Sequence, residues 1–312
     1  MVVTRRATFR VTTEEEGQRL DRLLCKHDPG LTRRTAANLC RQGRVLVNGR
    51  PAVKGELAKS GQQISHESLV LQCATATPNE ALHVVLERRD LVVVDKPAGQ
   101  PTAPLDDQER GTLANALVGR YPEMSGFGYG PLEPGLIHRL DTHTSGLVLA
   151  ARHEEAFRRL RAALQSGALH KRYLAVLSAG PLDDRGEINL PIRPHPRRAR
   201  RVVTCAWGAP GARPARTRWR VLTRGQELTL VEIEVSRAVR HQIRVHFSAL
   251  GLPLVGDSMY GGQPHPALGP GHALHASYIA WVGDEVVPSF HAETGLPERF
   301  ATLLGRGGGT FG

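Results

Sequence analysis

Apolar positions recur along this chain in two ways, at three- and four-residue steps in some segments and in short unbroken runs in others. Leu20, Leu23 and Leu24 stand at helical spacing, and after Asp28-Pro29-Gly30 a second helix is expected from Thr32 to Gln42, ended by Gly43. Val45-Leu46-Val47 then reads as a strand entering the turn Asn48-Gly49. Downstream, Leu82 to Leu86, Leu91 to Val94, Leu147 to Ala151 and Arg172 to Leu177 read as strands, and Thr112 to Arg120 as a short helix. In 239–250, Val239, Ile243, Phe247 and Leu250 repeat at helical spacing and are expected to face a core. Ala74 to Asn79 is small and polar, holds Pro78 and shows neither period, which is the pattern of a linker. Short strands broken by single helices lack the steady βαβ rhythm of a parallel sheet. The expected class is therefore α+β: a mixed, mostly antiparallel sheet with flanking helices, preceded by a small α+β domain.

A length of 312 residues fits two domains, and the balance of 40% hydrophobic to 23% charged residues excludes wholesale disorder. No apolar run approaches the roughly 18 residues of a membrane span, so no membrane partner is expected. Met1 to Glu16 has no apolar stretch, and Cys25, Cys40, Cys73 and Cys205 show no C-x-x-C spacing, so a reducing, cytoplasmic setting is expected. Lys and Arg number 41 against 30 Asp and Glu, a formal charge of +11 that favours a polyanionic partner. The surplus is local. From Gly17 to Ser65 ten basic residues face three acids, and Arg193 to Arg201 holds five arginines and no acid. Arg33, Arg34, Asn38 and Arg41 recur along one side of the second helix, as either a solvated face or a nucleic-acid contact would. Arg197, Arg198, Arg200 and Arg201, in a Pro-containing stretch, fit a mobile RNA-clasping loop or a solvated surface loop.

Candidate chemistry gathers in two segments. The polar loop Leu136 to Gly146 runs into the strand Leu147–Ala151, and within it Asp141 either presents a carboxylate or forms an Asx-turn. Arg240 and Arg244 stand at i,i+4 on the expected helix, a like-charge pair that calls for an intervening anion. Gly126, Gly128 and Gly130 follow no strand and meet Pro131, so a plain loop is expected there rather than a nucleotide-binding turn. There is no H-E-x-x-H, and His241 and His246 are five apart, so no metal is expected. Ser145 lacks a Gly-x-Ser-x-Gly frame.

Two resemblances follow. Gly17 to Leu24, Thr32-Arg33-Arg34 and Gly43 to Gly49 together resemble an S4 RNA-binding domain, although the usual Gly-Asp before its last strand is here Gly61-Gln62. His138-Arg139-Leu140-Asp141 with Thr144-Ser145-Gly146 resembles the signature of the RluA-type pseudouridine synthases. The likeness continues in order through Asp95 to Gly99, Lys171 to Val176, His241 to His246, Gly256-Asp257 with Tyr260-Gly261, and Leu274-His275-Ala276. The resemblance implies three parts: an S4 domain at 14–72, a linker at 73–80 and a catalytic domain at 81–312.

The activity it implies is a cofactor-free isomerisation of uridine within structured RNA, with ribosomal RNA favoured over transfer RNA and the protein acting as a monomer. The uracil leaves C1′, turns and rejoins through C5. The family's catalytic carboxylate falls on Asp141, its active-site tyrosine on Tyr173 and the arginine that keeps the carboxylate ionised on Arg244. Arg139 is the position whose side chain enters the RNA and helps hold the base out of its stack. Without the resemblance, Tyr173 reads equally as a packed strand residue. One departure concerns the site: the family's upstream arginine is here Val239, with Arg237 or Arg240 left to supply the charge. Thr142 and His143 also stand where Arg or Lys and Asp are common. An RNA-binding or ribosome-associated factor with a decayed synthase domain is the alternative.

Overall fold

The computed structural model describes residues 4–28, 31–53, 55–69, 73–77, 80–178 and 183–305; the expected turn at Pro29-Gly30, Pro78 of the linker and the domain end at residue 72 lie outside them. The chain divides into two compact units, Met1–Cys73 with Gly130–Leu132, and Ala74–Tyr129 with Glu133–Gly312.

The first unit contains β1 (Thr4–Arg10), α1 (Leu20–His27), α2 (Arg33–Arg41), β2 (Val45–Val47), β3 (Arg50–Pro51) and β4 (Gln63–Leu69), with an antiparallel sheet of order β1-β4-β2-β3. Helix α2 begins after Thr32, whose hydroxyl accepts the Thr35 amide at 3.1 Å and caps the helix. Asn48 (φ 49°) and Gly49 (φ 84°) are both left-handed, which is what a two-residue hairpin turn demands. Leu20, Leu23 and Leu24 from α1 meet Leu39, Val45, Val47 and Ile64 in one buried cluster.

In the second unit the chain runs through β5 (Val84–Glu87), β6 (Leu91–Lys96), α3 (Leu113–Arg120), β7 (Ser145–Ala151), α4 (Glu154–Ser166), β8 (His170–Leu177) and β9 (Arg185–Asn189). It continues through β10 (Ile192–Pro194), β11 (Val202–Thr204), β12 (Arg216–Arg224), β13 (Thr229–Glu234), α5 (Gln242–Ala249), β14 (Leu274–Gly283), β15 (Pro288–Glu293) and α6 (Glu298–Leu303). The main sheet has the order β5-β6-β7-β14-β8-β13-β12-β9, with β15 on β14, and β10 and β11 form a separate hairpin. Its described pairings are antiparallel except β7 with β14, which run parallel through Ser145–His275 and Gly146–Ala276. The class is α+β, as the sequence pattern predicts.

Strands β6 and β7 are buried on both faces, which explains their unbroken apolar runs. Val92, Val94, Val148 and Ala150 pack with Leu113 and Leu117 of α3 and Phe247 of α5, while Leu91, Val93, Leu147 and Leu149 pack with Phe157 and Leu160 of α4. Residues 74–77, expected within the linker, are strapped to this unit instead: Ala74 is buried, the Asn115 amide donates to the Thr75 carbonyl at 2.8 Å, and the Thr77 amide donates to the Asn115 carbonyl at 3.2 Å. Gly126, Gly128 and Gly130 lie in a loop, as expected. Among the described residues no helix is long and apolar enough to cross a membrane.

Candidate active site

Asp141 sits in the loop that enters β7, and the main chain on both sides of it is clamped. The Thr102 hydroxyl donates to the Leu140 carbonyl at 2.7 Å and accepts the Leu140 amide at 3.2 Å. The Gly99 amide donates to the Thr142 carbonyl at 2.8 Å. Lys96, fully buried, spends its ammonium on the carbonyls of Pro97, Gln100 and Thr142 at 2.9, 2.8 and 3.2 Å. Burial, only partly offset by the charge of Asp141, pushes its pKa down to about 8. Behind the loop, Gly146 (φ +111°) lets β7 close on β14, since a Cβ there would lie 2.3 Å from the Ala276 carbonyl oxygen. His138 stays neutral: burial drives its pKa to about 3, and its Nε2 accepts the Leu149 amide. The buried His272, also held to about 3, shares a 2.8 Å hydrogen bond with the Thr144 hydroxyl.

The Asp141 carboxylate finds its partners a hundred residues or more along the chain. Arg244 donates Nη1 to Asp141 Oδ2 at 2.7 Å, and grips Asp257 with Nε at 2.6 Å and Nη2 at 2.8 Å. Asp257 is presented by a tight turn in which the Tyr260 amide donates to its carbonyl at 3.0 Å. His241 Nε2 lies 3.6 Å from Asp141 Oδ1. Burial alone would raise the Asp141 carboxyl, but His241, protonated only at the low pH where a carboxyl titrates, and Arg244, through its charge and its hydrogen bond, hold it below the usual carboxylate value. An Asx-turn is not what occupies this side chain; the local turn is made by main chain, with the Thr144 amide donating to the Asp141 carbonyl at 3.0 Å.

The helix carrying Arg244 is shorter than its apolar spacing predicts. His241 adopts a left-handed conformation (φ 55°), so α5 starts at Gln242 and Arg240 is not on it. The expected i,i+4 pair of Arg240 and Arg244 therefore does not form, and Arg240 instead donates to the Ala199 carbonyl at 3.0 Å. Ile243 and Phe247 face the core as expected, whereas Leu250, just past the helix end, is 44% exposed.

Arg139, Asp141, Tyr173, Val239, Arg240, His241 and Arg244 all line one pocket of about 130 Å³. That is the volume of roughly four waters, the scale of a single planar ring. Tyr173 is buried in its wall; burial first, then the Asp141 charge, raises the phenol to about 12, so it keeps its proton. Arg139 stands exposed at the rim beside Glu133. At Val239 the wall is apolar, and Arg237 is exposed and not among the lining residues. A larger open concavity of about 1400 Å³ lies along the sheet, where Arg172 and Arg220 are paired with Glu232 and Arg218 with Glu187.

In the first unit Arg33, Arg34 and Arg41 are exposed on α2, and Arg41 donates to the side chain of the half-buried Asn38. The stretch after β10 is a formed turn, not an open loop. The His195 amide donates to the Arg201 carbonyl at 3.1 Å, and His195 Nδ1 accepts the amides of Arg197 and Arg198. Arg197, Arg198 and Arg200 point to solvent, whereas Arg201 is half-buried with its guanidinium 5.1 Å from the Tyr260 ring centroid. The sequence pattern assigns no role to Asp257, Lys96, Thr102 or Tyr260. For Asp257 and Tyr260 the available signal is Gly256, whose left-handed turn (φ 82°) sets up their placement.

The family model for RNA pseudouridylate synthase matches residues 90–249, and that for the S4 domain matches residues 18–64. An RNA pseudouridine synthase of Chloroflexus aurantiacus, described as uncharacterized, is 36% identical over 94% of this chain and 89% of its own length. A Pseudomonas aeruginosa protein named ribosomal large subunit pseudouridine synthase D is 31% identical over 94% of this chain and 93% of its own. Among solved structures, human RNA pseudouridylate synthase domain containing 1 is 27% identical with a TM-score of 0.55, covering 70% of this chain and 86% of that one.

Proposed function

The chain belongs to the RNA pseudouridylate synthase family, of the RluA type with an S4 domain at its amino-terminal end, and we propose that it isomerises uridines of large-subunit ribosomal RNA with Asp141 as the catalytic carboxylate. The observation that carries this reading is a carboxylate held ionised by Arg244 in a pocket the size of one ring, walled by Tyr173. The reaction breaks C1′–N1 and forms C1′–C5; C5 gives up a proton and N1 gains one, so the balance calls for no oxidant or reductant. An ionised carboxylate serves either as nucleophile toward the sugar or base, or as the base that takes the proton from carbon. Tyr173 stacks on the extruded uracil as a neutral phenol, and Arg139 at the rim enters the RNA in the space the base has left.

The rRNA assignment draws on the relatives named for the large ribosomal subunit and on the S4 domain. Arg33, Arg34, Asn38 and Arg41 of that domain, with Arg197, Arg198, Arg200, Arg201 and Arg240 of the catalytic domain, form the RNA-binding set. The protein acts as a cytoplasmic monomer, its S4 part beginning with β1 and its catalytic part taking in residues 74–77. The test is to incubate the purified chain with in vitro transcribed large-subunit rRNA and with tRNA, and to map pseudouridine. Modification of rRNA at defined uridines is expected. Modification of tRNA alone overturns the target, and no product on either overturns the enzymatic reading.

A further inference from the structure

Resting on the reading of Asp141 as the reacting group, a second set of hydrogen bonds ties its geometry to the arginine-rich turn. Val202 opens β11 directly after Arg201, and its amide donates to the Tyr260 hydroxyl at 3.1 Å. A main-chain N–H only donates, so the hydroxyl accepts there and its own proton is free for the second partner, His241 Nδ1, at 2.9 Å. With Nδ1 accepting, a neutral His241 carries its hydrogen on Nε2, the nitrogen 3.6 Å from Asp141 Oδ1. Asp141 thus has one oxygen fixed by Arg244 and the other facing an imidazole N–H whose tautomer is set from the turn.

Three further features support the same connection. His241 keeps a left-handed backbone (φ 55°), a conformation non-glycine residues hold only when their surroundings impose it. Arg240, the residue before it, donates to the Ala199 carbonyl within the turn at 3.0 Å. The Tyr260 ring has the Arg201 and Arg244 guanidiniums each 5.1 Å from its centroid, one from the turn and one from the aspartate's own partner. Burial, opposed by Asp141 and assisted by Arg244 and Arg240, lowers the His241 pKa, in keeping with a neutral ring at pH 7.

We infer that His241 and Tyr260 are positioning residues that make the alignment of the Asp141 carboxylate depend on the conformation of the 195–201 turn, so that RNA phosphate bound at Arg197, Arg198 and Arg200 sets the reacting group as well as adding affinity.

The test measures the single-turnover rate at saturating RNA, and separately the RNA Kd, on the full chain with an rRNA transcript it modifies. Tyr260→Phe keeps the ring and removes only the hydroxyl. It is expected to lower the saturated rate about threefold to tenfold, the worth of one hydrogen bond, with Kd unchanged. The triple variant Arg197→Ser/Arg198→Ser/Arg200→Ser is expected to weaken binding and also to lower the saturated rate. Combined with Tyr260→Phe it should lower the rate no further, because both changes cut one connection. His241→Asn, which tolerates the left-handed backbone but has a shorter reach, should lose rate like Tyr260→Phe. Losses that multiply in the combined variant overturn the relay, as does a Tyr260→Phe protein with a lowered Tm and a wild-type rate. A wild-type chain that forms no pseudouridine overturns the enzymatic reading itself and this inference with it.

Discussion

Arg244 divides one guanidinium between two aspartates, and the division is unequal. Asp257 is buried and takes two of its hydrogen bonds, whereas the half-buried Asp141 takes one. The first pair fixes the plane of the fork, and Nη1 is thereby turned toward Asp141. Removing Asp257 takes two charged hydrogen bonds from Arg244 and leaves it with Asp141 alone, at a cost of about 2–3 kcal/mol. Asp257→Ala is therefore expected to lower stability by that amount in thermal or denaturant melts and to reduce the single-turnover rate, though Asp257 does not line the pocket. A melt that matches wild type would contradict the pairing. Asp141 and Arg244 were legible in the sequence through the motifs they sit in. Asp257 was visible only as part of a motif, because its pairing with Arg244 crosses a turn and a helix end that no period announces.

Elements differed in how much of them the sequence showed, and each case has a physical reason. Helix α2 and the β2–β3 turn were readable because a Thr cap and Asn-Gly leave chemical marks at their ends. Helix α5 reads from sequence as starting at Val239 because its apolar spacing persists where the backbone, turning left-handed at His241, no longer does. Strand β12, Arg216–Arg224, carries no such mark: its exposed face bears arginines that pair with Glu187 and Glu232 on neighbouring strands, a match invisible in one segment alone. Before α1, the buried Glu15 ties Thr12 to the helix end. Its carboxylate accepts from Lys26 at 2.7 Å and the Thr12 amide at 3.1 Å, and His27 Nε2 lies 2.8 Å away. The Lys26 hydrogen bond first, then that of Thr12, outweighs burial and lowers the Glu15 pKa from 4.5 to about 2. A depressed carboxylate contributes stability above its unfolded pKa and loses it as pH falls through the folded one; with Lys26 exposed to solvent, that is about 1–2 kcal/mol here. Denaturant melts of wild type and Glu15→Gln should differ by about that much at pH 7. The gap should close as pH drops from 4.5 to 2. A gap independent of pH would assign Glu15 a packing role only.

At the scale of the whole molecule, the +11 charge is concentrated in the first unit and in the turn after β10, whereas arginines along the main sheet are paired with glutamates. A basic surplus that binds phosphate announces itself in salt dependence, because each phosphate neutralised by a side chain releases a counterion. Arg33→Ser/Arg34→Ser/Arg41→Ser should weaken RNA binding and flatten the slope of log Kd against log salt by about 0.7–0.9 for each phosphate no longer neutralised, with the melt unchanged. An unaltered slope would make α2 a solvated face. The two-part organisation was legible from composition and pattern, while the strapping of residues 74–77 onto α3 was not, since Ala and Thr carry no periodic mark of burial.

The central claim is that the Asp141 carboxylate performs the isomerisation, and Asp141→Asn tests it most directly. The substitution is nearly isosteric and keeps the main-chain turn to Thr144, but it removes the charge that Arg244 holds in place. Measured by single-turnover pseudouridine formation on a transcript the wild type modifies, with RNA binding and melting followed in parallel, the variant should form no pseudouridine. It should bind RNA as wild type does and lose about 1–3 kcal/mol for the weakened charged hydrogen bond. A variant that is folded, binds RNA and makes pseudouridine at a rate near wild type would contradict the account.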